Sequence, residues 1–331
     1  MEASTAILSN IKVTPLAAES FGVRSMCTLV ETPDVSVLLD AGISLAPYRF
    51  NLPPHPIEFQ TIASLRKTIA EVADKAQVTT ISHYHFDHHT PSFEDWVVNW
   101  TQERETAQKI YQNKLVLLKH PKENINASQR QRAWMFKKTG GKYAKTVEYA
   151  DGRIFKYGNT SLKFSEAVAH GSDDMLGWVI MLIIDVGADR FMFAPDVQGP
   201  ISKYTTQLIL NAKPTVIMLG GPPLYLEGFR VELNQIEQSF RNLQRIVEEV
   251  PLTILEHHAL RDETWRLKME PVFQQASKAN HAIMTAAEYS GKENLFLESK
   301  RKQLYNDHPI TDEFKQWTKT LNNKKIAKPP L

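Results

Sequence analysis

The 331 residues, 42% hydrophobic and 23% charged, make a chain that can bury a sizeable core, and they lack the low hydropathy or charge excess of a disordered protein. Thirty-nine basic against thirty-seven acidic side chains leave a net charge of +2, so nucleic acid is permitted as a partner but not indicated. Cys27 is the single cysteine, which excludes an intramolecular disulfide; with no signal-like start and no run of about 20 apolar residues, the chain is expected to be cytoplasmic and to make no membrane contact.

In chain order, short β-branched runs at Ile11–Val13, Cys27–Val30 and Val35–Leu39, parted by turn formers, predict an antiparallel sheet. After the Pro-rich LPPHP of 52–56, Ile57, Ile62, Leu65, Ile69 and Val72 recur near helical spacing, and VTTIS at 78–82 reads as a buried strand ending at His83. Residues 92–145 read as a helical insertion, with helices at Phe93–Gln112 and Glu123–Lys138 around the strand-like KLVLL of 114–118, placed where a lid could sit. Strand signals return in SLKFSEAV, WVIMLIIDV and RFMFAPDV, then TVIMLGG at 215–221, a helix running to Val250, and PLTILEHH. Residues 262–331 read as a helical, polar extension with a frayed basic end. No fixed-period repeat or low-complexity linker divides the chain, so 1–331 is taken as one domain.

The segment ISHYHFDHHT places His83, His85, Asp87 and His88 within six positions, directly after a strand. Imidazole and carboxylate suit zinc, iron or manganese; alternation past the strand end aims His83 and His85 together, while the turn swings Asp87 and His88 toward a neighbouring point. A lone histidine is more often an exposed or hydrogen-bonded bystander, but four ligand types at this spacing argue for a metal.

These residues resemble the HxHxDH signature of the metallo-β-lactamase superfamily, and the family's further motifs follow in order: VLLDAG with Asp40, AVAHGSD with His170, FAPDVQGP with Asp196 and ILEHHALRD with a final histidine. The resemblance implies a four-layer αββα sandwich of the α/β class. It implies that His83, His85 and His170 hold one divalent ion and Asp87, His88 and the last histidine a second, most simply zinc, with manganese or iron as alternatives and with Asp196 bridging. For the last histidine, strand alternation admits one of His257 and His258; His257 is preferred because transfer-RNA 3′-end processing relatives carry an arginine four positions later, as Arg261 stands here. His89 is expected to point outward to solvent, or else to lie behind the ligands and support them, with solvent the simpler case, and Asp40 to orient the histidine loop as well as cap its turn. A hydroxide held between two ions about 3.5–4 Å apart would attack the substrate, oriented by Asp87 or Asp196. His120, Arg261 and Lys203 are candidate donors to the leaving group. GVRSM, LPPHP, HGSDDMLGW, DVQGP, GPPLYL and HHALRD also resemble an archaeal branch of the superfamily.

Two classes of activity compete. Phosphodiester hydrolysis, on nucleic acid or a smaller diester, is favoured by the basic run of Arg130, Arg132, Lys137, Lys138, Lys142 and Lys145, interleaved with Trp134, Phe136 and Tyr143, although a solvated helix face explains that run equally well. The alternative is a small-ester hydrolase, a thioesterase or lactonase of glyoxalase II-like type, with Trp96, Trp100 and Trp134 around an apolar pocket; 96 and 100 are also spaced to pack a helix on the core. A protein that kept the fold and lost the reaction is disfavoured by the complete ligand set. The number of subunits is left open.

Overall fold

In a computed structural model the structure describes residues 8–93, 96, 103–172, 175–320 and 327–331. The chain runs β1 (Lys12–Ala18), β2 (Met26–Glu31), β3 (Ser36–Leu39), α1 (Pro56–Ala73), β4 (Val78–Ile81), α2 (Glu103–Tyr111), β5 (Leu115–Leu118), α3 (Ala127–Lys138), β6 (Thr146–Tyr149), β7 (Ile154–Tyr157), β8 (Thr160–Phe164), β9 (Val168–Ala169), β10 (Trp178–Val179), β11 (Leu182–Val186) and β12 (Asp189–Ala194). It continues with α4 (Lys203–Ala212), β13 (Val216–Gly220), α5 (Leu233–Glu249), β14 (Leu252–Glu256), α6 (Trp265–Lys268), α7 (Glu270–Lys278), β15 (Ala282–Met284), α8 (Ala286–Tyr289), α9 (Arg301–Asp307) and α10 (Asp312–Lys319).

Side chains alternate across a strand, and here both faces of the central strands are apolar. Val37 and Leu39 of β3, Phe191 and Phe193 of β12, and Val216 and Met218 of β13 enter one core between two sheets. The intervening residues turn the other way: Leu38 meets α1, while Met192, Ile217 and Leu219 meet α4, α5 and α7. The result is helix, sheet, sheet, helix, the four-layer arrangement implied by the sequence motifs.

One sheet has the order β1-β2-β3-β4-β5-β6 and the other β15-β14-β13-β12-β11-β8-β7, with β9 and β10 paired separately. Each sheet is antiparallel in one half and parallel in the other, β3 to β6 and β12 to β15 being the parallel parts. The carboxyl ends of neighbouring parallel strands lie on one edge of a sheet, where ligand-bearing loops collect.

Several elements depart from the sequence reading. WVIMLIIDV is two strands, because the Ile180 N–H donates to the Ser82 carbonyl (3.1 Å) and carries the chain from β10 across to β11. The helix expected from Glu123 starts at Ala127, where the Asn126 side chain accepts from the Gln129 N–H (2.9 Å) and caps it. Of the helix expected at Phe93–Gln112, the described part is Glu103–Tyr111, and residues 94–95 and 97–102 lie outside the described residues. The KLVLL strand pairs with β4 and β6 inside the first sheet. The polar C-terminal part contains a strand, β15, and its tail is tied where Trp317 Nε1 donates to the Ala327 carbonyl (2.7 Å).

That C-terminal part is fastened by buried charge. Arg301 forms a forked pair with Glu58 of α1 (2.7 and 2.8 Å) and donates to the carbonyls of Leu52 and Ala46 (3.0 Å each). Arg24 binds Glu298 in the same bidentate way (2.6 and 2.7 Å). Burial raises the Glu298 pKa, but Arg24, with Arg261 and Arg301 behind it, outweighs burial and holds the carboxyl down at about 2. Because that lies below the ordinary 4.5, the Glu298 contribution to stability is complete above pH 4.5 and is lost as pH falls toward 2. Denaturant midpoints measured between pH 6 and 2 should therefore fall less steeply in Glu298→Gln than in the parent. Glu58→Ala, which strands Arg301 in the interior, should cost about 3–5 kcal/mol in urea unfolding, and pairing it with Arg301→Met should recover much of the loss.

Candidate metal centre

The turn after β4 is closed by the His88 and His89 N–H groups, both donating to the His85 carbonyl (3.0 and 3.2 Å). It packs against Gly42 so tightly that a Cβ there would sit 2.1 Å from the His89 nitrogen, so the glycine after Asp40 is a condition for the loop's position. Asp40, one residue past β3 and with a left-handed backbone (φ 42°), turns its carboxylate onto this loop. One oxygen accepts from the Ser82 N–H (2.8 Å); the other accepts from the Ser82 hydroxyl and faces His88 Nδ1 at 2.8 Å.

This bonding sets two tautomers. The Ser82 hydroxyl has one proton and gives it to Asp40, so toward His83 Nδ1 (3.0 Å) it accepts, and His83 carries its proton on Nδ1. His88 likewise donates from Nδ1 to Asp40. The Nε2 lone pairs of both rings are then free to point inward, and both are buried without a hydrogen-bond partner.

They converge on Asp196, which follows β12 with φ 50° and is buried. Its Oδ2 lies 2.8 Å from His170 Nε2, 3.2 Å from His83 Nε2, 3.3 Å from His88 Nε2 and 3.9 Å from His85 Nδ1. Its Oδ1 lies 2.8 Å from His257 Nε2 and 3.6 Å from His258 Nε2. The carboxylate thus divides the histidines into two groups. Among the described residues, groupings with ligand atoms close enough for one ion are His83, His85, His170 and Asp196; Asp40, His83 and His88; Asp87, His88 and His257; and Asp196, His257 and His258. A backbone brace holds Asp196 in place: Ser239 of α5 donates to the Gln198 carbonyl (3.1 Å), and Asn242 to those of Pro200 and Ile201 (3.0 Å each).

Charge follows the same pattern. Burial and the neighbouring rings lower the His83 pKa well below its usual value, whereas for His88 the carboxylates overcome burial and raise it, so its Nε2 draws a positive charge, a proton or a metal ion in its place. At Asp87 and Asp196 burial works against ionisation, but the surrounding imidazoles prevail and keep both carboxyls charged. Inward-facing lone pairs, two ionised carboxylates and several buried polar atoms without partners fit a divalent cation, which would satisfy all of them together.

Three expectations need correction. Strand alternation does not choose between His257 and His258, because β14 ends at Glu256 and the chain enters a left-handed residue (His257, φ 67°) and a 3₁₀ turn; both rings reach Asp196. His89 does not face solvent: it is buried against Phe136, Phe86 and Tyr84, bonded to the His85 carbonyl (2.9 Å), with burial pushing its pKa down to about 3. Phe136 belongs to the core and Tyr143 is half-buried, which leaves Trp134 as the exposed ring of the basic run. Trp96 packs on the core; Trp100, and Asp173 and Asp174 of the HGSDDMLGW motif, lie outside the described residues.

Two residues at the centre carried no signal in the sequence. Glu19, in the turn after β1, is buried and meets His257 Nδ1 (2.8 Å) and Arg261 Nε (2.6 Å), so it orients the ring whose Nε2 faces Asp196 and Asp87. Ser82 relays between His83 and Asp40. Of the three candidate donors, Arg261 stands at the centre, 3.8 Å from Asp87. His120 caps the turn after β5, bonded to Asp151 and Glu123, and Lys203 is exposed at the start of α4.

No family model matches the chain. It is 41% identical to a UPF0282 protein of Methanocaldococcus jannaschii over 305 residues, 92% of this chain and all of that one. It is 44% identical to a UPF0282 protein of Thermococcus gammatolerans over 257 residues, 77% of this chain and 84% of that one. Among solved structures, the metallo-β-lactamase fold protein YhfI of Bacillus subtilis superposes with a TM-score of 0.52 at 15% identity, covering 86% of this chain and 97% of its own. The chain therefore belongs to the UPF0282 family, whose similar members named here are archaeal, and it is built on the metallo-β-lactamase fold.

Proposed function

We propose that the protein is a dinuclear metal-dependent hydrolase whose substrate is a phosphodiester. The observation that supports this most is the buried Asp196 carboxylate, which lies within reach of both ligand groups: its Oδ2 faces His83, His85 and His170 of one and His88 of the other, and its Oδ1 faces His257 and, farther off, His258. His83, His85, His170 and Asp196 would hold one ion; Asp87, His88 and His257, with Asp196 between, would hold the other. Bound divalent cations supply Lewis acidity, bringing water ionisation toward neutral pH and steadying negative charge on a phosphoryl group. Zinc is the first choice for this nitrogen-rich set, with manganese and iron as alternatives.

The chain's own part is positioning. Asp40 and Ser82 fix the tautomers of His83 and His88; Glu19 fixes His257; Asp87 and Asp196 remain ionised and accept hydrogen bonds from a reacting water. Cationic side chains around the centre favour an anionic substrate: Arg261 lies 3.8 Å from Asp87, and Arg132 of α3 lies over the Phe86 ring (5.1 Å) beside the loop. The exposed lysines of the basic run add charge, but Trp134 as its exposed ring falls short of a stacking track for a long strand, so a small diester or a nucleic acid end fits better. A second reading, a small thioester or lactone, is favoured by the exposed apolar Met175 and Leu176 on the loop that follows His170. No described helix is long and apolar enough to cross a membrane.

Metal analysis of the purified protein should give close to two ions per chain, and hydrolysis of bis(p-nitrophenyl) phosphate should exceed that of a thioester and stop with chelator. Absence of both metal and turnover after reconstitution would refute the hydrolase reading; thioester turnover alone would replace the substrate. Asp196→Ala should retain at most one tightly held ion, and an unchanged metal count would remove its bridging role. His85→Ala, at a quarter-exposed side chain, should lower kcat by at least about 100-fold while leaving the unfolding midpoint nearly unchanged.

A further inference from the structure

Beside the metal centre lies a positive cluster that the hydrolase reading leaves without a task. Arg49 stands between two rings, its guanidinium carbon 4.6 Å from the Phe50 centroid and 4.9 Å from that of Tyr225, and Lys302 Nζ lies 4.7 Å from Phe50. Among the described residues neither cation has a carboxylate at salt-bridge distance. Arg49 donates once, from Nη2 to the Arg261 carbonyl (2.9 Å), and its buried Nε has no partner. Tyr225 ties this cluster to the metals: its ring stacks on His258 (10° between planes), and its hydroxyl lies 3.3 Å from His258 Nδ1 and 3.1 Å from Arg261 Nη1. His258 Nε2, 3.6 Å from Asp196, is buried and also without a partner.

The backbone that presents Arg49 is strained. Arg49 and Leu52 exchange two backbone hydrogen bonds (2.9 Å each) around Phe50 and Asn51, which have φ of 55° and 60°. Left-handed geometry suits asparagine and costs a phenylalanine about 1–2 kcal/mol. The turn is held against that cost from outside: Arg301 donates to the carbonyls of Ala46 and Leu52, and the Tyr305 hydroxyl to that of Pro53 (3.2 Å). A strained turn fixed by several buried donors, presenting a cation with no carboxylate partner beside a metal centre, has the features of a binding site.

We infer that Arg49, supported by Lys302, receives the anionic non-bridging oxygen of the substrate beside the metal centre, and so selects charged phosphodiesters over neutral esters. The inference rests on the hydrolase reading and makes it more specific. A guanidinium whose remaining donors are free can give charge-assisted hydrogen bonds to a phosphoryl oxygen, while the rings hold it without neutralising it. His258, one ring nearer the metals, offers its Nε2 to the same group.

The test compares two substrates with one leaving group, the bis(p-nitrophenyl) phosphate anion and the neutral diethyl p-nitrophenyl phosphate, on the metal-loaded protein. In Arg49→Met the ratio of diester to triester kcat/KM should fall about 10- to 100-fold, with metal content and unfolding midpoint unchanged, and Arg49→Lys should lose less. A ratio that does not move, or an equal loss on both substrates, overturns the inference. If the parent hydrolyses neither substrate, the hydrolase reading fails and the inference is judged by inorganic phosphate binding in titration calorimetry. Arg49→Met must then weaken binding at least about tenfold, and equal binding by both proteins, or none by the parent, overturns it.

Discussion

Burying a polar atom without a partner is expensive, and the rest of this molecule is arranged around a place where several such atoms meet. The Nε2 atoms of His83, His88 and His258 and an oxygen of Asp196 are buried without hydrogen-bond partners within one small volume. Left to itself such a cluster would relax by turning rings outward or by filling with protons. It persists because the opposite edges of the rings are held: His88 by Asp40, His83 by Ser82, which itself donates to Asp40, and His257 by Glu19. A cation is the simplest species that meets the inward lone pairs of His83, His88 and Asp196 at once, so the outer hydrogen bonds keep open a site that a cation completes.

The two sheets make this arrangement affordable. Their parallel halves deliver Asp40, the histidine loop, Asp196 and His257 from the ends of β3, β4, β12 and β14, and at three of these positions the first or second residue past the strand has left-handed backbone: Asp40, Asp196 and His257. An L residue adopts that geometry at a cost, and it does so here because the turn aims its side chain back over the sheet edge. The cost is met by packing: Gly42 lets the Asp40 turn lie directly on the histidine loop, and Ser239 and Asn242 of α5 fasten the turn after Asp196 from below.

Much of this was legible in the sequence, for a physical reason. Ligand-type side chains carried on one loop leave their spacing in the chain, so the clustering of His83, His85, Asp87 and His88 was readable, and strands buried on both faces leave apolar runs, so β4, β12, β13 and β14 were as well. What sequence could not show are partners far apart in the chain. Glu19 meets His257 across 238 residues, and a glutamate after a short strand carries no period to betray it. The expectation that only one of His257 and His258 faces the site rested on strand alternation, which stops at Glu256. His89 was read as outward because its neighbours are ligands, but Phe136 arrives from α3 and encloses it. The strand β15 was hidden in a polar stretch because its three residues are only half-buried.

Arg261 joins these levels. Its guanidinium binds Glu19, and so the orientation of His257; it lies 3.8 Å from Asp87 and reaches the Tyr225 hydroxyl; its carbonyl accepts from Arg49. Arg49 in turn sits on a turn clamped by Arg301, which the C-terminal part supplies and Glu58 of α1 neutralises. A displacement of the C-terminal segment would therefore reach the metal centre through two buried arginines and one backbone carbonyl, with no need for a change in either sheet. Arginine suits both positions because its planar fork can bind a carboxylate with one edge and carbonyls or a hydroxyl with the others, whereas a lysine ammonium would leave part of that set unpaired in the interior. The polar C-terminal segment, though far from the ligand motifs in sequence, is in this way bonded through to the residues that orient the histidine cluster.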